Sequence, residues 1–193
     1  MLAIKPTDLI SVEDYLTGEL TSDIKHELID GCVYAMAGAS ANHERISVNA
    51  LSEFRNHLKS SPCEPFGSDM KLRINSNFFY PDVMVDCRFD NSEPYFTQTP
   101  IIIVEVLSRS TRKKDTTLKF ISYINIPTLK EYVLIEQDFV DVQVFRRNEN
   151  WLVRHYFLGD EVTFESIGLT LPVEDIYHRV QNDDMLELLA NKT

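Results

Sequence analysis

The chain has 193 residues, 44% of them hydrophobic and 25% charged, an ordinary composition for one globular domain with a core of its own. Its formal net charge of -11 excludes a protein that coats nucleic acid by bulk electrostatics, because neutralising phosphates takes Lys and Arg; a nucleic-acid role needs a local basic surface. No run approaches the roughly 18 apolar residues of a membrane span, and the N-terminus has only a short apolar start with early acids, so the expectation is a cytoplasmic protein without membrane association.

No repeat, low-complexity linker or composition break interrupts the sequence, so residues 1–193 are read as a single domain with its core over about 8–180. Ser11 is placed to cap a helix at SVEDYL. In KHELIDGCVYAMA, Asp30-Gly31 suits a two-residue hairpin turn between apolar-rich arms. Ser40 caps a second helix, on which Ile46, Ala50, Phe54 and Leu58 recur every four residues along one face. Strands are predicted at 66–74 and 79–87, separated by Asn75-Ser76-Asn77, and at 101–107 after a longer loop. The pattern turns helical over 111–125 and stops before Pro127. EYVLIEQ, VDVQVFRR and WLVRHYFL read as three further strands, and the last dozen residues as a loosely held helix. This order implies an α/β domain with a mixed sheet flanked by helices. Cys32, Cys63 and Cys87 are odd in number, far apart and without C-x-x-C spacing, so they are expected to be free thiols.

Glu105 lies in PIIIVEVLS, otherwise an apolar strand of the kind buried on both faces. A carboxylate there must be protonated, paired or bound to a cation. Asp82 follows Pro81 in the preceding strand, and an antiparallel register that pairs 87 with 100 also pairs 82 with 105. Opposed side chains have Cβ atoms about 4.5 to 5.5 Å apart, and two hard oxygen donors at that separation suit Mg²⁺ or Mn²⁺. Asp86 shares the Asp82 face but lies about 13 Å along the strand, too far to share one ion. Asp115, Lys119 and Tyr123 stand at i, i+4 and i+8 of the later helix. Asp69 and Lys71 alternate onto one strand face, and His43 sits in a first helical turn; all three are candidates for support beside the site. Arg109, Arg112, Lys113 and Lys114, with Lys119, form a basic run, read either as the local basic surface that a nucleic-acid role needs or as a solvated loop and helix face.

Pro81-Asp82 followed by Glu105 on the next strand resembles the PD-(D/E)XK nuclease superfamily. The succession ELIDG, N-H-E, YPDVMV, IIIVEVLSRST, the Asp115, Lys119, Tyr123 spacing and EYVLIE is more closely similar to a large bacterial family of restriction-endonuclease-like proteins, over roughly residues 8–178. The resemblance implies a restriction-endonuclease-like core, a metal-dependent endonuclease acting on DNA, Asp82 and Glu105 as metal ligands, and Glu27 as an acid completing the metal shell. It also implies, by analogy, a homodimer cutting two strands. One departure stands out: the superfamily places a lysine two residues after the acid, where this chain has Leu107. Lys119 is the expected substitute, since a helix after the Glu105 strand can aim a long side chain back at it. Two other readings compete: a catalytically decayed module that binds nucleic acid or protein, and a metal-dependent hydrolase of a small phosphoester.

Overall fold

The computed structural model describes residues 9–108 and 112–191. In chain order it contains α1 (Val12–Glu19), β1 (His26–Ile29), β2 (Cys32–Ala35), α2 (Ala41–Leu58), β3 (Glu64–Gly67), β4 (Lys71–Ile74), β5 (Asn77–Phe79), β6 (Val83–Asp86), β7 (Phe96–Thr97) and β8 (Pro100–Leu107). There follow α3 (Arg112–Lys114), a π-helical turn (Asp115–Lys119), α4 (Phe120–Ile124), β9 (Glu131–Glu136), β10 (Val142–Arg146), β11 (Val153–Tyr156), β12 (Glu161–Phe164), β13 (Leu169–Pro172), α5 (Val173–Ile176) and α6 (Asp183–Ala190). Among the described residues the strands form one sheet in the order β11-β10-β9-β8-β6-β3, a second in the order β2-β1-β5-β4-β7, and a β12-β13 hairpin. The fold is the expected mixed α/β arrangement: β8 runs antiparallel to β6 and parallel to β9, and the helical segment from α3 to α4 makes the crossover.

Every residue of β8 is buried, and its alternation decides where the acids point. Ile102, Val104 and Val106 join Val83, Val85, Val133, Ile135 and the α2 stripe Ile46, Ala50, Phe54, Leu58 in the larger core. Ile103 and Leu107 pack on the opposite face with Met84, Tyr123, Tyr132 and Leu134. Glu105 alternates with Ile103 and Leu107 and so belongs to this second face, while Asp82 lies at the bend just before β6. The apolar neighbours hold the strands in place at roughly 1.5 to 3 kcal/mol for each large side chain removed from water.

Several local expectations hold. Ser11 and Ser40 cap α1 and α2, accepting from Asp14 N and His43 N. Ile29 pairs with Cys32 across the Asp30-Gly31 turn, with φ of 50° and 76°, the left-handed pair a tight hairpin requires.

Others are corrected. The strand expected over 66–74 is two strands in different sheets, separated by a turn in which Met70 N donates to Gly67 O at 3.1 Å. The one expected over 79–87 breaks at Pro81-Asp82, where proline has no N–H for the ladder. Residues 161–176 add a hairpin and the short α5. The C-terminal helix is anchored rather than loose: Asn182 caps it by accepting from Met185 N, and Met185 is buried. Cys63 and Cys87 are bonded to each other, because β3 and β6 pair Glu64 with Asp86 and the next residues outward meet; Cys32 is free. Among the described residues no helix is long and apolar enough to cross a membrane.

Candidate active site

The two acids meet through strand register. Val83 pairs with Val104, and one step further Asp82 comes opposite Glu105. The expected register therefore holds beside the acids, but an irregularity between Val85 and Asp86 pairs Asp86 with Pro100, so 87 does not face 100. Asp86 is spent on its own loop, accepting from Arg88 N at 2.7 Å, from Thr99 Oγ1 at 2.8 Å and from the Thr97 hydroxyl. Asp82 Oδ2 accepts from Val106 N at 2.7 Å, which ties it to the Glu105 strand, and lies 3.3 Å from His43 Nε2. His43 is brought there by the first turn of α2.

The helix that crosses this face is not the uniform α-helix expected. Residues Asp115–Lys119 form a π-helical turn between α3 and α4, a wider winding that recurs at functional sites. Asp115, Lys119 and Tyr123 are all buried by it. Lys119 Nζ sits 2.9 Å from Glu105 Oε1, 3.2 Å from Glu27 Oε1 and 3.3 Å from Asp115 Oδ1. The Tyr123 hydroxyl donates to Glu105 Oε1 at 3.0 Å. Glu27, carried by β1, also pairs with Lys114. Leu107, at the departing position, is 1% exposed in the apolar core of the same face. Lys119 supplies an ammonium to Glu105 from the helix instead.

Four carboxyl groups, Glu27, Asp82, Glu105 and Asp115, thus share a buried neighbourhood with two ammonium groups, Lys114 and Lys119. Burial, and then the charges of Asp115 and Asp82, push the Glu105 carboxyl well above the usual range against the pull of Lys119. Burial alone would lower the Lys119 ammonium, but Glu105, Glu27 and Asp115 raise it well above its ordinary value, so it stays charged. Burial likewise opposes Glu27, yet Lys119 and Lys114 overcome it and hold that carboxyl low. His43 is raised despite burial, through Asp82, Glu44 and Asp115. Burial and Glu105 raise the Tyr123 hydroxyl, so it acts as a donor.

A divalent metal fits this donor set. Asp82 Oδ1 and Glu105 Oε2 accept no hydrogen bond among the described residues, which leaves one hard oxygen on each opposed strand. Among those residues there is no preformed cluster of three or more ligating side chains. Two carboxylates suffice for Mg²⁺ or Mn²⁺, which keep waters and take substrate phosphate oxygens.

The family model described as "Uma2: Putative restriction endonuclease" matches residues 12–174. The chain belongs to the Uma2 family. It is 38% identical over 177 residues to the uncharacterized protein slr1290 of Synechocystis sp., covering 89% of this chain and 93% of that one. It is 33% identical over 172 residues to sll1609 of the same organism, covering 86% and 97%. In fold it resembles the crystal structure titled a putative nuclease belonging to DUF820 from Anabaena variabilis, with a TM-score of 0.76 at 17% identity, covering 89% of this chain and 99% of that one.

In this Uma2 chain two members of the basic run are paired with acids. Arg112 pairs with buried Glu136, and Lys114 pairs with Glu27 while its ammonium lies 5.0 Å from the Tyr34 ring centre. Lys113 is exposed, and Arg109 lies outside the described residues. Asp69 is exposed and pairs with Lys25 at 2.6 Å. Lys71 is buried at the head of β4. Two further side chains meet these residues without a motif of their own: Tyr132, whose hydroxyl donates to Asp115 O at 3.1 Å, and Glu136, the partner of Arg112. Glu136 carried a usable signal, being an acid in the apolar strand EYVLIE just as Glu105 is in PIIIVEVL.

Proposed function

We propose that this chain is a metal-dependent endonuclease that hydrolyses DNA phosphodiester bonds, with Asp82 and Glu105 holding Mg²⁺ or Mn²⁺. The observation that carries the reading is Lys119 Nζ at 2.9 Å from Glu105 Oε1, an ammonium brought from the helix to the acid whose strand lacks the usual lysine. Family membership supports it. The bound ion would position the scissile phosphate, lower the pKa of a water and neutralise developing charge. The chain's own groups do the rest. Lys119 and Tyr123 fix one oxygen of Glu105, and Val106 N and His43 fix one oxygen of Asp82, so each acid keeps a second oxygen for the ion. Lys119 holds a proton and a positive charge at Glu105 Oε1, and Glu27, 3.2 Å from that ammonium, balances its charge and orients it. By analogy with nucleases that use two copies of one site, the chain would act as a homodimer.

The test is cleavage of a supercoiled plasmid and a labelled oligonucleotide in Mg²⁺ and Mn²⁺. The parent is expected to cut, and Asp82→Ala and Glu105→Ala to lose at least about 10²-fold in rate, the scale of one removed electrostatic contributor. Undiminished cleavage by both variants would place the chemistry elsewhere. A second reading, a decayed module that binds nucleic acid or protein, is favoured by the inward pairing of Arg112 and Lys114. It forecasts metal binding without turnover.

A further inference from the structure

A cleft of about 450 Å³ opens beside the acids, with Asp82 in its wall, and its size lies in the roughly 300 to 1,000 Å³ range of sites that enclose a small ligand. One side is α2, through Val48 and Leu51; the other is formed by Phe66, Lys71 and Tyr95. Two features of its lining bear on what it can bind. Tyr95 is 57% exposed, and Lys71, only 8% exposed, is in no ion pair among the described residues. The Lys71 ammonium lies 5.5 Å from the Tyr80 ring centre and 5.9 Å from that of Tyr95. Burial lowers it against the pull of Glu19. Of the acids lining the cleft, Asp69 is engaged by Lys25, and Glu44 stands exposed.

We infer that this cleft receives one unpaired nucleotide next to the scissile phosphate, its base stacked on Tyr95 and its phosphate on Lys71, so that the enzyme acts on single-stranded or locally opened nucleic acid. This rests on the proposed nuclease reading of the Asp82 and Glu105 site. An aromatic face, apolar walls and a single cation form the pattern by which proteins take up unpaired bases. A base still stacked in a duplex offers an edge and not a face, and must be extruded before it can enter.

The experiment measures binding of a labelled single-stranded 12-mer and a matched duplex in Ca²⁺, with 2-aminopurine placed at successive positions, alongside cleavage in Mn²⁺. The single strand is expected to bind more tightly, with quenching at one position. Tyr95→Ala should weaken binding about 5- to 150-fold, corresponding to the loss of one stacked base, and Tyr95→Phe should restore it. Lys71→Met should reduce the slope of log affinity against log salt by about 0.7, the share of one single-strand phosphate. It should melt no lower than the parent, which a structural lysine would not allow. Equal affinity for duplex and single strand, or binding indifferent to both substitutions, overturns the subsite; cleavage that persists in that case leaves the nuclease reading standing. Tyr95-dependent single-strand binding without cleavage supports the subsite and removes the nuclease reading.

Discussion

Fourteen residues separate Glu105 from Lys119, yet the pair was legible, because a carboxylate in an apolar strand demands a partner and a helix must cross that strand before the chain can return parallel to it. The Lys114 to Glu27 pair was not legible: its partners lie 87 positions apart, on α3 and β1, and no local signal brings those elements together. Lys119 is 5% exposed and within 3.3 Å of three acids, so Lys119→Met should cost stability, about 3 to 5 kcal/mol as for a broken buried pair. Per folded molecule, quantified by circular dichroism, it should also lose about 10² to 10⁴ in cleavage rate. Lys119→Arg keeps the charge but cannot release a proton; partial activity assigns charge stabilisation, and none assigns proton transfer. A folded Lys119→Met protein that cuts at the parent rate would take Lys119 out of the mechanism.

At the scale of elements, the helices and the first hairpin follow from caps, a four-residue apolar spacing and one left-handed turn pair, all local signals. The strand breaks do not. Gly67-Ser68-Asp69 and Pro81-Asp82 are turn-prone but do not by themselves fix the breaks, and which sheet each half joins is set by distant partners: β6 for β3, and β5 and β7 for β4. Helix α2 shows what the local signal is worth. Phe54 is fully buried and meets Phe164 edge-on at 4.7 Å, so it links the helix to the β12-β13 hairpin that the sequence did not reveal. Phe54→Ala is expected to lower unfolding free energy in urea by about 3 to 5 kcal/mol, whereas Asn56→Ala on the exposed face should change it by no more than about 0.5 kcal/mol. A Phe54→Ala cost near that of Asn56→Ala would mean that α2 does not anchor the larger core.

Across the whole molecule, a net charge of -11, three acids gathered around two lysines and Asp82 on the neighbouring strand end make a fold that a divalent cation should stabilise as a unit. A ligand that binds only the folded state adds RT ln(1 + [L]/Kd), about 1.4 to 2.7 kcal/mol at 10 to 100 times Kd, and raises the melting temperature accordingly. Nonspecific screening of surface acids would raise it too, so the magnitude alone decides nothing. The discriminating variants are Asp82→Asn and Glu105→Gln, which keep shape and remove one charge each. If the ion takes one oxygen from each strand, either variant should abolish the Mn²⁺-induced shift, and the double variant should add nothing further, since the two acids act as one site. Lys119→Met should retain the shift or enlarge it, because a positive charge 2.9 Å from Glu105 opposes a second cation there. Shifts equal to the parent's in both single variants would move the metal away from the strand pair, and loss in only one would assign it to that acid without the other.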